Sequence, residues 1–245
     1  MGELIAVLSG KGGTGKTSLC AGIASALAQE GRQVLCIDCD VGLRNLDISL
    51  GLSDMGALSF RDVSEGGYSL TQATRHPAFE TLFFLTAPMN CSAENVDMTA
   101  FSQMLRIARG RYDYIFLDAP AGVDAGFQLA AKFADRVLLV TGADPAAVRD
   151  AGRAGELLEL MGKSDVRLIV NRVNRKMVDA MALTVDDIMD QAGLPLIGVV
   201  PEDPEVTLAA AFSRPLLYQT RKGAAAACRR IAKRLQGMRV SITLK

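Results

Sequence analysis

Residues 9–18 read SGKGGTGKTS, a run whose residue types suit one chemistry, the holding of phosphate. Glycines at 10, 12, 13 and 15 let successive backbone N–H groups turn into one concavity, and a helix opening beyond them adds its partial positive charge. The spacing G-x-x-x-x-G-K-[ST], here Gly10 to Thr17, offers the Lys16 ammonium to the β- and γ-phosphates of a nucleotide and the Thr17 hydroxyl to Mg²⁺. Gly12, Gly13, Thr14, Gly15 and Ser18 complete the predicted cradle. Lys11 is surplus to that scheme, because one lysine beside a hydroxyl residue already serves one set of phosphates.

Carboxylates are the second requirement. Asp38 and Asp40 in IDCD and Asp118 in YIFLDAPAG each follow a short apolar run, and open α/β sheets collect ligands at the carboxyl ends of their strands. Asp118 is expected to hold the metal directly or through water, with Asp38 a second carboxylate on the metal side. Asp40 is placed to orient or deprotonate an attacking water. An Asp in such a position also caps helices, so each alone carries little weight.

Elements that could position these groups are legible in the hydropathy. ELIAVLS (3–9), QVLCID (33–38), TLFFLT (81–86), YDYIFLD (112–118), RVLLVT (136–141), VRLIVN (166–171) and PLIGVV (195–200) are apolar on both faces, as strands of a helix-covered parallel sheet must be. Helical stretches alternate with them, among them SLCAGIASALAQEG ending at Gly31 and PAAVRDAGRAGELLELMG ending at Gly162. The expectation is a doubly wound α/β fold, a mostly parallel sheet with helices on both faces, in one domain over 1–236 followed by a short basic tail, 237–245. Residues 52–80, rich in Gly, Ser and Thr, read as an irregular surface excursion.

The 27 basic and 27 acidic residues cancel, which excludes a surface basic throughout. Their distribution is uneven: from Ser213 onward there are nine Lys and Arg and no acid. Cys20, Cys36, Cys39, Cys91 and Cys228 make no regular disulfide framework, and the C-x-x-C at 36–39 has no second Cys or His pair to complete a metal site. No signal peptide, acylation pattern or membrane-spanning run is expected.

SGKGGTGKTS, IDCDVGLRNLDISLGL, YIFLDAPAGVDAG, FADRVLLVTGADPAAVRDAGR and LPLIGVVPED together resemble the MinD septum-site-determining ATPases, within the MinD/ParA group of deviant Walker A proteins. The resemblance runs from residue 3 to about 236, and D-V-G-L-R-N-L-D (40–47) narrows it to MinD. It implies a P-loop ATPase using ATP and Mg²⁺, in which two subunits close face to face and Lys11 crosses to the partner's phosphates. It implies Asp150 as the acid that holds Lys11 without a partner, residues 38–47 (Asp38, Asp40, Arg44, Asn45, Asp47) as one switch, and 118–122 (with Pro120 and Gly122) as the other. Asn171, Arg172, Pro201, Glu202 and Asp203 match adenine-binding positions, and Arg44 and Asn45 are candidates for a partner surface.

Beyond residue 219, Ala224, Ala227, Cys228, Ile231, Leu235 and Met238 share one helical face, opposite Arg229, Arg230 and Lys233. A last helix packed on the sheet is the expectation for 220–236; Arg229, Arg230, Lys233, Arg234 and Arg239 are the candidate contacts for an anionic membrane. MinD proteins usually continue into an amphipathic segment rich in Phe, Leu and Lys, where this chain has GMRVSITLK. The resemblance implies a homodimer, a division inhibitor of the MinC kind and an activating regulator as partners, in the cytoplasm and peripherally on the inner face of the cell membrane. The alternatives are a DNA-partitioning ATPase, with nucleic acid as partner, and a flagellar-number or polar-localisation ATPase of the same fold.

Overall fold

A computed structural model describes residues 1–41, 43–89, 92–181 and 184–243. Gly42 of the first switch, Cys91, and Leu244 and Lys245 of the tail lie outside the described residues. The strands are β1 (Glu3–Leu8), β2 (Val34–Asp38), β3 (Thr74–Arg75), β4 (Leu82–Leu85), β5 (Tyr114–Asp118), β6 (Arg136–Thr141), β7 (Val166–Val173) and β8 (Leu196–Pro201). The helices are α1 (Lys16–Gln29), α2 (Leu46–Leu50), α3 (Phe60–Ser64), α4 (Met98–Ala108), α5 (Ala125–Phe133), α6 (Pro145–Leu160), α7 (Arg175–Ala180), α8 (Val185–Ala192), α9 (Pro204–Ala211), α10 (Leu216–Gln219) and α11 (Gly223–Leu235).

The sheet order is β3-β4-β2-β5-β1-β6-β7-β8, and every pairing is parallel except β3 with β4. Alternation along β1 shows why both faces need helices. Leu4, Ala6 and Leu8 join one core layer with α4, α5, α6 and α8, while Ile5 and Val7 join the other with α1 and α11. Register then aligns the chemistry: Asp38 pairs with Asp118, and Asp118 with Val7, so the loop leaving β1 runs beside both carboxylates.

Two expectations change. Residues 52–80 are not a surface excursion: Phe60, Val63, Leu70 and Ala73 are core residues, and Phe60 packs edge-on to Phe101 at 5.2 Å. Their Ser and Thr content belongs to short capped turns, Ser59 with Asp62 and Ser69 with Gln72, which composition alone resembles a loop. At the other end, α11 buries Ala224, Ala227, Cys228, Ile231 and Leu235 as expected, but Met238 is 46% exposed. Gly237 at φ 80 breaks the helical phase before Met238 is reached.

Candidate active site

Gly15 stands in the left-handed region (φ 83) at the start of α1, where it can offer no side-chain cap. The first N–H groups of α1 therefore stay open to an anion. Lys16 is 7% exposed, and its Nζ lies 3.7 Å from Oδ1 of Asp118, itself 1% exposed. Among the described residues, neither Asp118 oxygen has a hydrogen-bond partner. Burial lifts the Asp118 carboxyl to about 6, against the opposing pull of Lys16 and the Thr17 hydroxyl. A buried carboxylate without satisfied oxygens is costly, and beside the Thr17 hydroxyl this one is suited to a Mg²⁺ ion. Among the described residues, no cluster of three His, Cys, Asp or Glu could hold a metal ion.

Asp38 is fully buried at the end of β2. Its oxygens accept from the backbone N–H of Asp40 (2.9 Å) and Leu46 (3.2 Å), and it thereby shapes the first switch. Burial first, and the neighbouring Asp118 second, push its carboxyl to about 7. Asp40 is partly buried at the mouth of the site; burial raises its carboxyl and Lys16 opposes the rise. Asp47 accepts from the N–H of Ile48 at 2.8 Å at the start of α2, with Asn45 in the N-cap position. Arg44 (φ 49) turns inward and donates from Nε to Thr86 Oγ1 at 2.9 Å, which leaves Leu43, 73% exposed, as the outward residue of that turn. In the second switch, Gly122 donates to the Ser9 carbonyl at 3.2 Å, and Gly126 leaves room for Pro120, which a Cβ there would meet at 2.2 Å.

Lys11 pairs with Asp144, not with Asp150. Its Nζ lies 3.0 Å from Asp144 Oδ1, while the Asp150 carboxylate approaches Arg153 at 4.0 Å. Asp144 precedes α6 and also accepts from the Ala147 N–H, so its carboxylate projects toward the loop, whereas Asp150 lies a turn and a half further along α6. Burial works to raise Asp144, but Lys11 and the Ala147 N–H outweigh it and hold the carboxyl below its ordinary value. Asp150 touches the loop through its backbone instead: a Cβ at Gly10 would lie 2.5 Å from its carbonyl oxygen.

Beside the loop opens a cavity of about 520 Å³ whose walls include Ser18, Asn171, Pro201 and Glu202. Asp203 borders it with both oxygens engaged, accepting from the N–H of Glu205 (3.0 Å) and of Ala224 (2.8 Å), because α9 and α11 both begin there. Val206 and Leu216 also line it, and sequence reasoning missed them; Leu216 comes from a distant element and carries no local signal. Asn171 and Arg172 donate to the loop carbonyls of Thr14 (2.7 Å) and Gly13 (3.1 Å).

Three of the arginines expected to face a membrane are engaged within the fold. Arg229 donates to the Leu217 carbonyl, Arg230 to that of Thr243, and Arg234 to those of Ile197, Val240 and Ser241. A guanidinium can serve several carbonyls at once, and these lie within its reach as the chain turns back after Gly237. Lys233 and Arg239 remain exposed. No described helix is long and apolar enough to cross a membrane.

Residues 5–216 match the CobQ/CobB/MinD/ParA nucleotide binding domain. The septum site-determining protein MinD of Synechocystis is 35% identical over 240 residues, covering 97% of this chain and 90% of that protein. Among solved structures, the MinC:MinD cell division protein complex of Aquifex aeolicus matches with a TM-score of 0.89 and 36% identity over 98% of both chains. MinD of Pyrococcus horikoshii complexed with Mg-ADP matches at 0.84 and 28% over 96% of both. The chain belongs to the CobQ/CobB/MinD/ParA nucleotide-binding family, and within it resembles the MinD septum site-determining proteins.

Proposed function

We propose that the protein is a Mg²⁺-dependent ATPase that dimerises when it holds ATP and, as a dimer, recruits a division inhibitor of the MinC kind to set the division site. The observation that carries this reading is the unequal state of the two loop lysines. Lys16 is buried against Asp118, whereas Lys11 sits at the surface in an ion pair whose side chains are 38% and 53% exposed. An exposed pair of that kind contributes about 0–1 kcal/mol, so Lys11 can readily leave Asp144 for a phosphate presented by a second subunit. Phosphoryl transfer spreads negative charge over oxygens that one lysine cannot cover, and a lysine supplied across the interface ties turnover to dimerisation.

Within one subunit, the N–H groups from Gly12 to Ser18 cradle the phosphates and Lys16 neutralises them. Thr17 and Asp118 would hold Mg²⁺, which would supply charge neutralisation for the phosphates. Asp40 orients the attacking water, and the cavity between Asn171 and Glu202 takes the base. The Mg-ADP carried by the Pyrococcus relative and the MinC carried by the Aquifex relative support the same ligands and the same kind of partner for this chain. Lys233 and Arg239 would add about 1 kcal/mol each near an anionic leaflet, and a dimer doubles the number presented. An activating regulator would act on the dimer.

Co-sedimentation of the full chain with anionic vesicles and with duplex DNA, each in ADP and in a non-hydrolysable ATP analogue, tests where the switch works. Vesicle binding that needs the ATP analogue is the expected result. Binding to DNA alone would instead identify a partitioning ATPase.

A further inference from the structure

The end of β7 is irregular where it meets the phosphate loop. Its pairing with β8 shifts between Val170 and Val173, and Arg172 between them adopts φ 56, a conformation that non-glycine residues keep chiefly where their surroundings enforce it. The irregularity aims two consecutive side chains at one target. Asn171, 6% exposed, donates from Nδ2 to the Thr14 carbonyl at 2.7 Å, and Arg172 donates from Nη1 to the Gly13 carbonyl at 3.1 Å.

Those two carbonyls have a direct bearing on the cradle. The Gly13 carbonyl shares a planar trans peptide with the Thr14 N–H, and the Thr14 carbonyl shares one with the Gly15 N–H. In a trans peptide the carbonyl and the N–H point in opposite directions. A donor that holds the carbonyl from outside the loop therefore fixes the N–H toward the inside, where phosphate would lie. Gly15 is part of the same arrangement, since a Cβ there would fall 2.4 Å from Asn171 Nδ2 and force the clasp open.

We infer that Arg172, together with Asn171, is a positioning residue for the phosphate cradle: it holds the loop's outer carbonyls so that the Thr14 and Gly15 N–H groups are already aimed at the phosphate before a nucleotide arrives. Arg172 thus does different work from the adenine contact expected of its sequence position. It also lines both the base cavity and a second cavity of about 330 Å³ beside Lys11 and Asp144, so the clasp stands between the base and the partner-facing lysine. The inference rests on residues 10–17 being a phosphate cradle.

Arg172→Gly tests it, because glycine accepts the left-handed backbone while removing the side chain that carries the guanidinium. Affinities for fluorescent analogues of Mg-ADP and of AMP are measured with thermal midpoints and with amide exchange at Thr14 and Gly15 in ligand-free protein. Losing one hydrogen bond from a charged donor predicts about tenfold weaker Mg-ADP binding. AMP, which has no β-phosphate for the cradle, should bind as before, the thermal midpoint should hold or rise, and exchange at Thr14 should quicken. Arg172→Lys, keeping a cationic donor, should restore much of the Mg-ADP affinity. Mg-ADP binding within twofold of wild type in Arg172→Gly would overturn the inference, as would equal losses for ADP and AMP, which mark a base contact. Should Arg172→Gly fail to fold, Arg172→Asn, tolerant of the same backbone and too short to reach Gly13, takes its place under the same criteria. Wild-type protein that does not bind Mg-ADP overturns the cradle reading itself.

Discussion

Asp118 is the residue at which stability and function oppose each other. Its buried carboxyl is raised to about 6 from an ordinary 3.8, so the folded, ligand-free protein keeps this proton to a higher pH than the unfolded chain does. A raised acid contributes stability that is complete below about pH 4 and is lost as pH climbs through about 6; Asp38, at about 7, acts with the same sign. Asp118→Asn should therefore stabilise the ligand-free protein at pH 8 by about 1–3 kcal/mol while weakening Mg-nucleotide binding at least tenfold. Thermal unfolding with and without Mg-ADP reads both effects, and a variant no more stable than wild type at pH 8 contradicts the assignment. Asp144→Asn keeps an N-cap oxygen for Ala147 but removes the charge that holds Lys11. It should strengthen ATP-dependent dimerisation about two- to fivefold at low salt, with the gain fading as salt screens the wild-type pair. The meeting of Gly10 to Thr17 with Asp118 was legible because motif and strand end coincide. Asp144 was not, because the choice between two acids of α6 depends on how that helix starts against the loop.

Asp203 joins elements that lie far apart in the chain. It caps α9 through Glu205 and α11 through Ala224, and Gly223 leaves it the space. Asp203→Ala removes both caps and should cost about 1–3 kcal/mol, measured by denaturant unfolding; a loss below about 0.5 kcal/mol would show that solvent replaces them. His76 links α2 to the β3–β4 edge. Its Nε2 donates to the Leu50 carbonyl at 2.8 Å while Nδ1 accepts from the Ala78 N–H at 3.0 Å, so the ring is neutral. Burial lowers its pKa, against the bond to Leu50. The unfolded chain binds the proton more readily, so this contribution is present above about pH 6.5 and is lost as pH falls below it. Replacing His76 should flatten the stability profile over pH 5–7, and an unchanged slope there would remove His76 as its source. At this scale the sequence showed seven of the eight strands found among the described residues, since parallel strands covered on both sides read as apolar runs. The two-residue β3 was invisible: Thr74 and Arg75 have no periodicity, and only pairing with Phe84 and Phe83 makes them a strand.

Across the whole molecule, ATP is proposed to convert one folded subunit into half of a dimer. The doubly wound topology was readable from alternating strands and helices, but the direction of the tail was not. Composition presents Arg230 and Arg234 as free surface charge, whereas the fold gives them the backbone carbonyls of the returning chain, a contact without sequence periodicity. On the proposed reading, any membrane attraction would rest on fewer charges per subunit, and dimerisation would be the step that decides it. The most direct measurement is light scattering of the full chain in Mg-ADP and in a non-hydrolysable ATP analogue, with Lys11→Ala alongside. A doubling of mass with the ATP analogue alone, lost in Lys11→Ala while the variant still binds nucleotide, is the predicted result. A monomer in both nucleotides, or a dimer that forms without Lys11, would contradict it.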